Sequence, residues 1–330
     1  MTRAVRSVAL AVLLLAPTRG FAFTRSTSTN GACLAWPLRR IEFVVNADGL
    51  PAQQPVCSAG APLDELAAAL ATWMAAARPS GGRCTDLQLD VTRSTTSTEV
   101  GTSGDGDVNL VVWRRGDCNA VAPSSDPCWA PDTRTSCATK YNCWEDGDDR
   151  TIALTWASYV ASTGEIIDAD IELRGWDGGS LGFDRGVSGW YFTCFDPRSM
   201  PATTCTRYGE SECVGMDLRS VLAHELGHAI GIADQYTNPD GTMYGYGAQG
   251  EISKRTLAAD DADAVCSVYP AGAPTPSCDV AHSASHQSTA SPSSCGGCAS
   301  ADGSLATVAL AAGLAGLERV RAGAGQRPRR

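Results

Sequence analysis

Residues 217–233 read Asp-Leu-Arg-Ser-Val-Leu-Ala-His-Glu-Leu-Gly-His-Ala-Ile-Gly-Ile-Ala and carry the strongest structural signal in the chain. Apolar residues recur in this stretch at the three- and four-residue spacing of an amphipathic helix. Asp217 is a residue type that caps helix N-termini, and Gly231 can adopt the left-handed conformation that ends a helix. The stretch therefore predicts a helix that begins just after Asp217 and ends near Gly231.

The polar residues of this helix point to a metal. His224 and His228 are four residues apart, so both side chains lie on one face, one turn apart, where two ring nitrogens can bind one ion. Zinc readily accepts such a pair. Glu225 projects about 100° around the same turn, and from there it can reach a metal-bound water without binding the metal itself.

A zinc site needs a third protein ligand, and the chain offers few. Its four histidines include only two others, His282 and His286, which lie in a Ser-rich stretch. A carboxylate is therefore expected. Asp234 is the leading candidate, because a positive φ at Gly231 would turn the chain out of the helix and back toward the metal. Glu251 as the third ligand is the alternative.

Composition limits the classes of function. The 330 residues, 43% of them hydrophobic, suffice for one folded domain of roughly 200 to 250 residues with extensions. The formal net charge is −10. This balance argues against nucleic acids or anionic membranes as partners of the folded part, because basic residues are needed to displace counterions from such polyanions.

The chain divides into four predicted segments. Residues 1–22 have a positive start, a short apolar run and a small-x-small cleavage site, as secretion signals have, and the run is shorter than the about 20 residues of a membrane span. Residues 23–270 form the expected folded domain. Residues 271–294 are rich in Pro, Ser, Thr and Ala and read as a linker. Residues 295–330 form a tail.

Cysteine usage indicates disulfides. The chain has 14 cysteines, and the 12 from Cys33 to Cys278 form an even set in a chain expected to leave the cytosol. Spacing alone does not give their connectivity. The alternative is a zinc cluster, but its four cysteines lack the closely spaced pairs that such clusters use. Those four are Cys118, Cys128, Cys137 and Cys143.

Periodicity elsewhere predicts an α+β fold. Alternating or β-branched runs predict strands, and apolar residues at helical spacing predict two further helices beside the histidine helix. A strand is expected to show its side chains alternately on two faces, so a sheet with helices packed on one face is the natural arrangement. The predicted strands are 40–45, 87–91, 108–113, 152–157 and 166–173, and the predicted helices are 62–77 and 256–268.

Three carboxylates alternate along the last of these strands. Asp168, Asp170 and Glu172 share one face, while the apolar residues share the other. We expect the acidic face to be turned to solvent, with a calcium site as the alternative. Residues 104–107 and 145–149 are also acidic and Gly-containing, but neither completes an EF-hand loop, so we expect polar turns there.

The motif around the two histidines resembles a known family signature. Residues 224–234, His-Glu-Leu-Gly-His-Ala-Ile-Gly-Ile-Ala-Asp, resemble the extended zinc motif of metzincins, His-Glu-x-x-His-x-x-Gly-x-x-His/Asp. Residues 241–244, Gly-Thr-Met-Tyr, resemble the Met-turn, which places Met243 beneath the zinc. Among metzincins the chain is most similar to matrixins, over most of residues 33–270. This resemblance implies a twisted mixed five-stranded sheet with three helices, stabilised by disulfides.

The resemblance also implies an activity. It implies a zinc endopeptidase with one catalytic zinc held by His224, His228 and Asp234, and with Glu225 as general base on the attacking water. The substrate is then a peptide or protein, expected to pair as an extended strand with the edge strand at residues 152–157. A calcium ion remains an open second cofactor. A catalytically silent zinc-binding adhesion module is the alternative function, against which the intact Glu225 argues.

The chain departs from the matrixin pattern in several places. Asp234 stands where matrixins usually have a third histidine, and a carboxylate ligand is expected to make the zinc a weaker Lewis acid. No inhibitory prodomain is recognisable, and Cys84 is expected to be half of a disulfide rather than a cysteine switch. No histidines serve a second, structural zinc. Tyr244 and Tyr246 are expected to be structural rather than catalytic.

The tail resembles a bacterial sorting signal. Cys295-Gly-Gly-Cys298 precedes an apolar stretch at residues 305–317 and then a basic end, in the order found in C-terminal anchoring tails of some bacterial surface proteins. This predicts a bacterial protein that is secreted or anchored at the cell surface, with membrane contact only through the tail.

Overall fold

A computed structural model gives the fold of most of the predicted domain. The residues it describes are 23–48, 57, 61–78, 81–101, 108–130, 136–145, 151–175, 190–194, 196, 214–248, 250–278, 317–322 and 325–326. The predicted signal, most of the predicted linker, the Cys295–Cys298 motif and all but the last residue of the apolar stretch lie outside these ranges. Within them, no helix is both long enough and apolar enough to cross a membrane.

The structure is mixed α+β. Its strands are β1 Thr24–Arg25, β2 Arg40–Asn46, β3 Gln88–Thr95, β4 Asn109–Arg115, β5 Ala153–Val160, β6 Ile166–Gly175, β7 Trp190–Thr193, β8 Val214–Asp217, β9 Ile232–Ala233, β10 Tyr246–Gly247, β11 Leu317–Ala322 and β12 Gly325–Gln326. Its α-helices are α1 Ala61–Met74, α2 Cys118–Val121, α3 Cys137–Tyr141, α4 Leu218–Ala229 and α5 Ala259–Val268. Short 3₁₀ helices span Pro127–Trp129 and Ser253–Arg255.

One mixed sheet organises the domain. Its strand order is β11-β5-β6-β4-β2-β3, in which β6, β4, β2 and β3 run parallel and β5 is antiparallel to both of its neighbours. The mixed α+β fold agrees with the sequence prediction. The predicted counts of five strands and three helices are not confirmed, because β11 adds a sixth strand and the cysteine-rich segment contributes two further short helices among the described residues.

Helices α1 and α4 pack together on one face of the sheet, and buried aromatic residues hold α4 in place. The indole nitrogen of Trp73 in α1 donates to the carbonyl of Ala223 at 2.8 Å, and that of Trp36 donates to the carbonyl of Ala229 at 2.8 Å. The hydroxyl of Tyr269 donates to the carbonyl of Ile230 at 2.9 Å. The bonds to Ala229 and Ile230 satisfy carbonyls at the C-terminal end of α4, which a helix otherwise leaves without partners.

The other face of the sheet is also covered, which corrects one prediction. Asp168, Asp170 and Glu172 are at most 5% exposed, so the expectation of a solvent-facing acidic strand is wrong. Arg114 explains the difference: its Nε donates to Glu172 at 2.7 Å, and its Nη1 donates to the carbonyls of Thr98 and Ala138 at 2.7 and 3.0 Å. A second layer containing α3 therefore lies over these carboxylates. Asp170 accepts hydrogen bonds from the backbone of Leu110, at 2.7 Å, and of Gly101.

Disulfides connect this layer and the termini of the domain. The predicted disulfides are present and the alternative of a cysteine zinc cluster is wrong, because its four members form two disulfides that enclose a small separate core. Cys84 pairs with Cys266 of α5, as expected for half of a disulfide. Cys205 and Cys213 lie outside the described residues. The five pairs are Cys33–Cys278, Cys57–Cys194, Cys84–Cys266, Cys118–Cys143 and Cys128–Cys137.

Candidate metal centre

Helix α4 begins and ends where the sequence predicts. Asp217 is its N-cap, and its carboxylate accepts from the backbone N–H of Ser220 at 2.9 Å. The guanidinium of Arg255 binds the same carboxylate. The helix ends at Ala229, and Gly231 has a φ of +86°, where a side chain would also collide with the carbonyl of Leu34. This glycine turns the chain sharply into β9.

The turn after α4 brings three predicted ligands together. His224 Nε2 lies 3.1 Å from His228 Nε2, and the Oδ1 atom of Asp234 lies 3.2 and 3.3 Å from these two nitrogens. Both imidazoles are buried, while the Asp234 side chain is 21% exposed. One nitrogen or oxygen atom from each residue therefore points into a common space. Glu251 does not join this group, because its carboxylate accepts from Ala248 N and Ser253 Oγ, each at 2.8 Å.

Backbone carbonyls orient the two imidazoles. His224 Nδ1 lies 2.7 Å from the carbonyl oxygen of Thr242, and His228 Nδ1 lies 2.9 Å from that of Ile232. A carbonyl oxygen only accepts, so each Nδ1 must carry the hydrogen. The lone pair of each Nε2 then faces the common space. This is the outer hydrogen bond that metal-binding histidines use to fix their tautomer and orientation.

The three donor atoms fit a divalent cation. With hydrogens on both Nδ1 atoms, the two Nε2 atoms and the Asp234 carboxylate face one another, so that each can offer a lone pair to the same ion. Three such groups in contact repel unless a positive charge lies among them. Tetrahedral zinc with bonds of about 2.0 to 2.1 Å separates its ligand atoms by roughly 3.3 to 3.4 Å. The observed separations of 3.1 to 3.3 Å are close to that spacing.

The protonation states also suit metal binding. Burial, together with the positive charge of Lys254, lowers the pKa of His224 to about 4. Burial would raise the pKa of Asp234, but the two imidazoles hold it well below its usual range. Burial would lower the pKa of His228, yet the charge of Asp234 raises it overall. Metal ligands must be deprotonated, so a metal needs to displace at most the proton of His228 near neutral pH.

Glu225 is fully buried beside this group. Its Oε2 atom accepts a hydrogen bond from the hydroxyl of Thr155 at 2.7 Å, and the same hydroxyl lies 3.1 Å from the Glu225 backbone carbonyl. Sequence reasoning missed Thr155. The sequence does contain an indication of its role. Strand alternation puts Thr155 on the same face as Ala153, Ala157 and Tyr159, and a single hydroxyl on a buried apolar face needs a hydrogen-bond partner.

The predicted Met-turn packs against α4. Met243 is buried, and any Cβ at Gly227 would collide with its sulfur, so Gly227 is required for this contact. The carboxylate of Asp261 in α5 accepts from the backbone N–H groups of Thr242 and Met243 at 2.6 and 3.1 Å. Because the Thr242 carbonyl orients His224, Asp261 supports a candidate ligand from a distance, a role that the sequence reasoning also missed.

Three tyrosines pack together beside the site. The rings of Tyr236, Tyr244 and Tyr246 have centroids 5.4 to 6.3 Å apart. The buried ammonium of Lys254 donates to the carbonyls of Tyr244 and Tyr246, the latter at 3.0 Å. The backbone of this segment is thereby held against the end of the domain that carries His224.

The fold and this site together indicate a class of protein. A His-Glu-x-x-His helix, a glycine bend leading to a carboxylate, and a buried methionine turn below them are the arrangement of metzincin-like metallopeptidases. Residues 138–270 match the sequence model of a peptidase family described as Matrixin. The match contains the whole candidate metal centre and supports a matrixin-like domain there. A search of curated proteins found no match to the chain.

The match implies zinc-dependent hydrolysis of peptide bonds at the general level, since matrixins are zinc metallopeptidases. It begins at residue 138. The resemblance over residues 33–137, which include β2, β3 and β4, therefore stays an expectation.

Proposed function

We propose that the chain is a secreted or surface-anchored zinc endopeptidase in which His224, His228 and Asp234 bind the zinc and Glu225 is the general base. The observation that supports this proposal most directly is the convergence of two oriented Nε2 atoms and one carboxylate oxygen at the spacing of a zinc ligand set. The matrixin match over the same residues agrees with it.

In this proposal, Glu225 and Thr155 have separate roles in hydrolysis. Zinc bound there would polarise the scissile carbonyl and make a water ionisable near neutral pH. Glu225 accepts a proton from that water and later delivers it to the leaving amine nitrogen. It is placed for this role because it is adjacent to His224 on the same helix and its side chain is fully buried, away from bulk solvent. Thr155 restrains the Glu225 carboxylate by its hydrogen bond.

Two backbone segments would hold an extended substrate. Strand β5 passes next to Glu225 at Thr155, and β10 lies on the other side of a pocket beside His224. Ile152, which precedes β5, and Gly247 in β10 both line this pocket, together with Met216 and Val221.

Metal removal tests the proposal. The chain should contain one zinc per molecule and digest casein or an unstructured peptide. A chelator should abolish the activity, and one equivalent of zinc should restore it. Zinc content by elemental analysis and cleavage by mass spectrometry are the measurements. A chain that binds zinc in this site but cleaves no peptide under any condition would favour the silent adhesion module instead.

Replacing Thr155 tests the restraint on Glu225. Thr155→Val should lower kcat roughly tenfold or more with little change in KM, because a hydrogen bond to a charged group contributes about 1.5 to 3 kcal/mol. Thr155→Ser keeps the hydroxyl and should retain most of the activity. Steady-state kinetics on one peptide, at equal zinc content, distinguish the loss of this hydrogen bond from a general loss of structure. Equal kcat for the valine and serine variants would show that the hydroxyl does not position the base.

A further inference from the structure

The outermost strand of the main sheet comes from the distant tail segment. Strand β11 pairs antiparallel with β5 over six residues, from Leu317 opposite Val160 to Ala322 opposite Thr155. Three residues after the end of β11, β12 begins and pairs parallel with β10, with Gly325 opposite Tyr246 and Gln326 opposite Gly247. One short segment therefore contacts two separate parts of the domain.

Both of these parts lie beside the candidate metal centre. Thr155 in β5 binds the Glu225 carboxylate, and Gly247 in β10 lines the pocket beside His224. Ala322 and Gly325 are three residues apart, a distance of at most about 11 Å in an extended chain. The described residues of this segment therefore join β5, which contacts Glu225, to β10, which lines the pocket beside His224.

The second pairing excludes a simpler explanation for β11. An exposed sheet edge is often covered by a further strand, and covering β5 alone would need only residues 317–322. Edge protection gives no reason for residues 325–326 to pair with β10. An extended chain held on both walls at once, by main-chain hydrogen bonds, is the form in which a peptide adds to a sheet edge for recognition.

We propose that residues 317–322 and 325–326 occupy the peptide-binding cleft of their own chain and exclude other peptides from it. The pairing of β11 with β5 and of β12 with β10 depends only on the strand register. That the excluded molecules are peptide substrates rests on the proposed endopeptidase function. A segment of the same chain is present at an effective concentration in the millimolar range, so it competes well with dilute substrates. Access to the cleft then requires that this segment be displaced or removed.

Proline substitutions in β11 test the pairing. In an antiparallel pair, backbone N–H groups point alternately toward and away from the partner, so one of two neighbouring residues must donate to β5. Proline has no N–H, and the double variant Arg319→Pro/Val320→Pro therefore removes a bond whichever residue donates. The matched control is Gln287→Pro/Ser288→Pro, in the Ser-rich stretch before the tail. Mass spectrometry should first show that each purified chain still contains residue 326.

Hydrogen exchange is the first readout and needs no activity. It is measured in a Glu225→Gln background, so that self-cleavage cannot remove the segment. The amides of β5 that face away from β6 should exchange slowly in the parent and in the control, and at least about tenfold faster in the β11 variant, as expected when an edge strand loses its partner. Equal exchange in all three chains would overturn the proposal.

Peptidase kinetics are the second readout, on chains with Glu225 intact. The β11 variant should show a kcat/KM for an added peptide about tenfold or more above that of the control. Cleavage of the parent chain within residues 322–325 would also place the segment in the cleft. Unchanged kcat/KM with an intact tail would overturn the exclusion of peptides. If exchange changes as expected but no zinc-loaded chain cleaves peptides, the cis pairing stands and the proposed function fails.

Discussion

Glu225→Gln should keep one zinc per chain and lower kcat by roughly 10² to 10⁴, the range that a positioned general base contributes. Glutamine has nearly the same shape, and its amide oxygen can still accept the hydrogen bond that Thr155 now donates to the carboxylate. What it cannot do is accept a proton from the attacking water. The measurement is kcat on a defined peptide, with zinc content determined on the same preparation.

A second buried glutamate provides the control. Glu65 on α1 is 7% exposed and binds Arg219 of α4 at 2.6 Å, so Glu65→Gln removes a similar charge from the same pair of helices without touching the metal centre. The control should retain kcat. Wild-type turnover in the Glu225 variant at full zinc content would contradict the general-base role. Loss of zinc in that variant would instead show that Glu225 supports the metal.

The parts of the site that the sequence could predict are close together in the chain. His224, His228, Gly231 and Asp234 lie within eleven consecutive residues, and one helix followed by one glycine turn is enough to bring them together. Helical periodicity, the spacing of the histidines and the permissive φ of glycine are all local properties. This is why the grouping of these side chains follows from the sequence, although their roles remain proposals.

The missed features depend on distant contacts. Thr155 meets Glu225 across 70 residues, and Asp261 reaches the Met-turn from a separate helix. Strand alternation correctly placed Asp170 opposite the apolar face, but nothing local shows that a second layer covers that side of the sheet. Strand β11 was missed for the same reason: β-pairing partners are set by tertiary structure, and residues 318–322 were interpreted as part of the basic end that follows the apolar stretch.

Asp234→Ala has the second largest expected effect, on metal binding itself. The variant keeps two Nε2 atoms but loses the only carboxylate oxygen that lies near both of them among the described residues. Zinc affinity should fall by more than about 100-fold, the upper end of what losing even a supporting group costs. Glu251→Ala should retain both zinc and activity, because that carboxylate binds Ala248 and Ser253 instead. Competition with a chromophoric chelator measures both affinities.

The pair of variants also decides between the two candidate ligand sets. If Glu251→Ala lost the metal and Asp234→Ala kept it, the site would be of the kind in which a more distant glutamate completes a histidine pair, and the metzincin assignment of this helix would be wrong. Asp234→His adds a positive test. It supplies a neutral imidazole at the same place and should recover zinc lost in the alanine variant. Since it removes the negative charge that raises the pKa of His228, the pKa of this imidazole should be lower in the metal-free variant than in the metal-free parent.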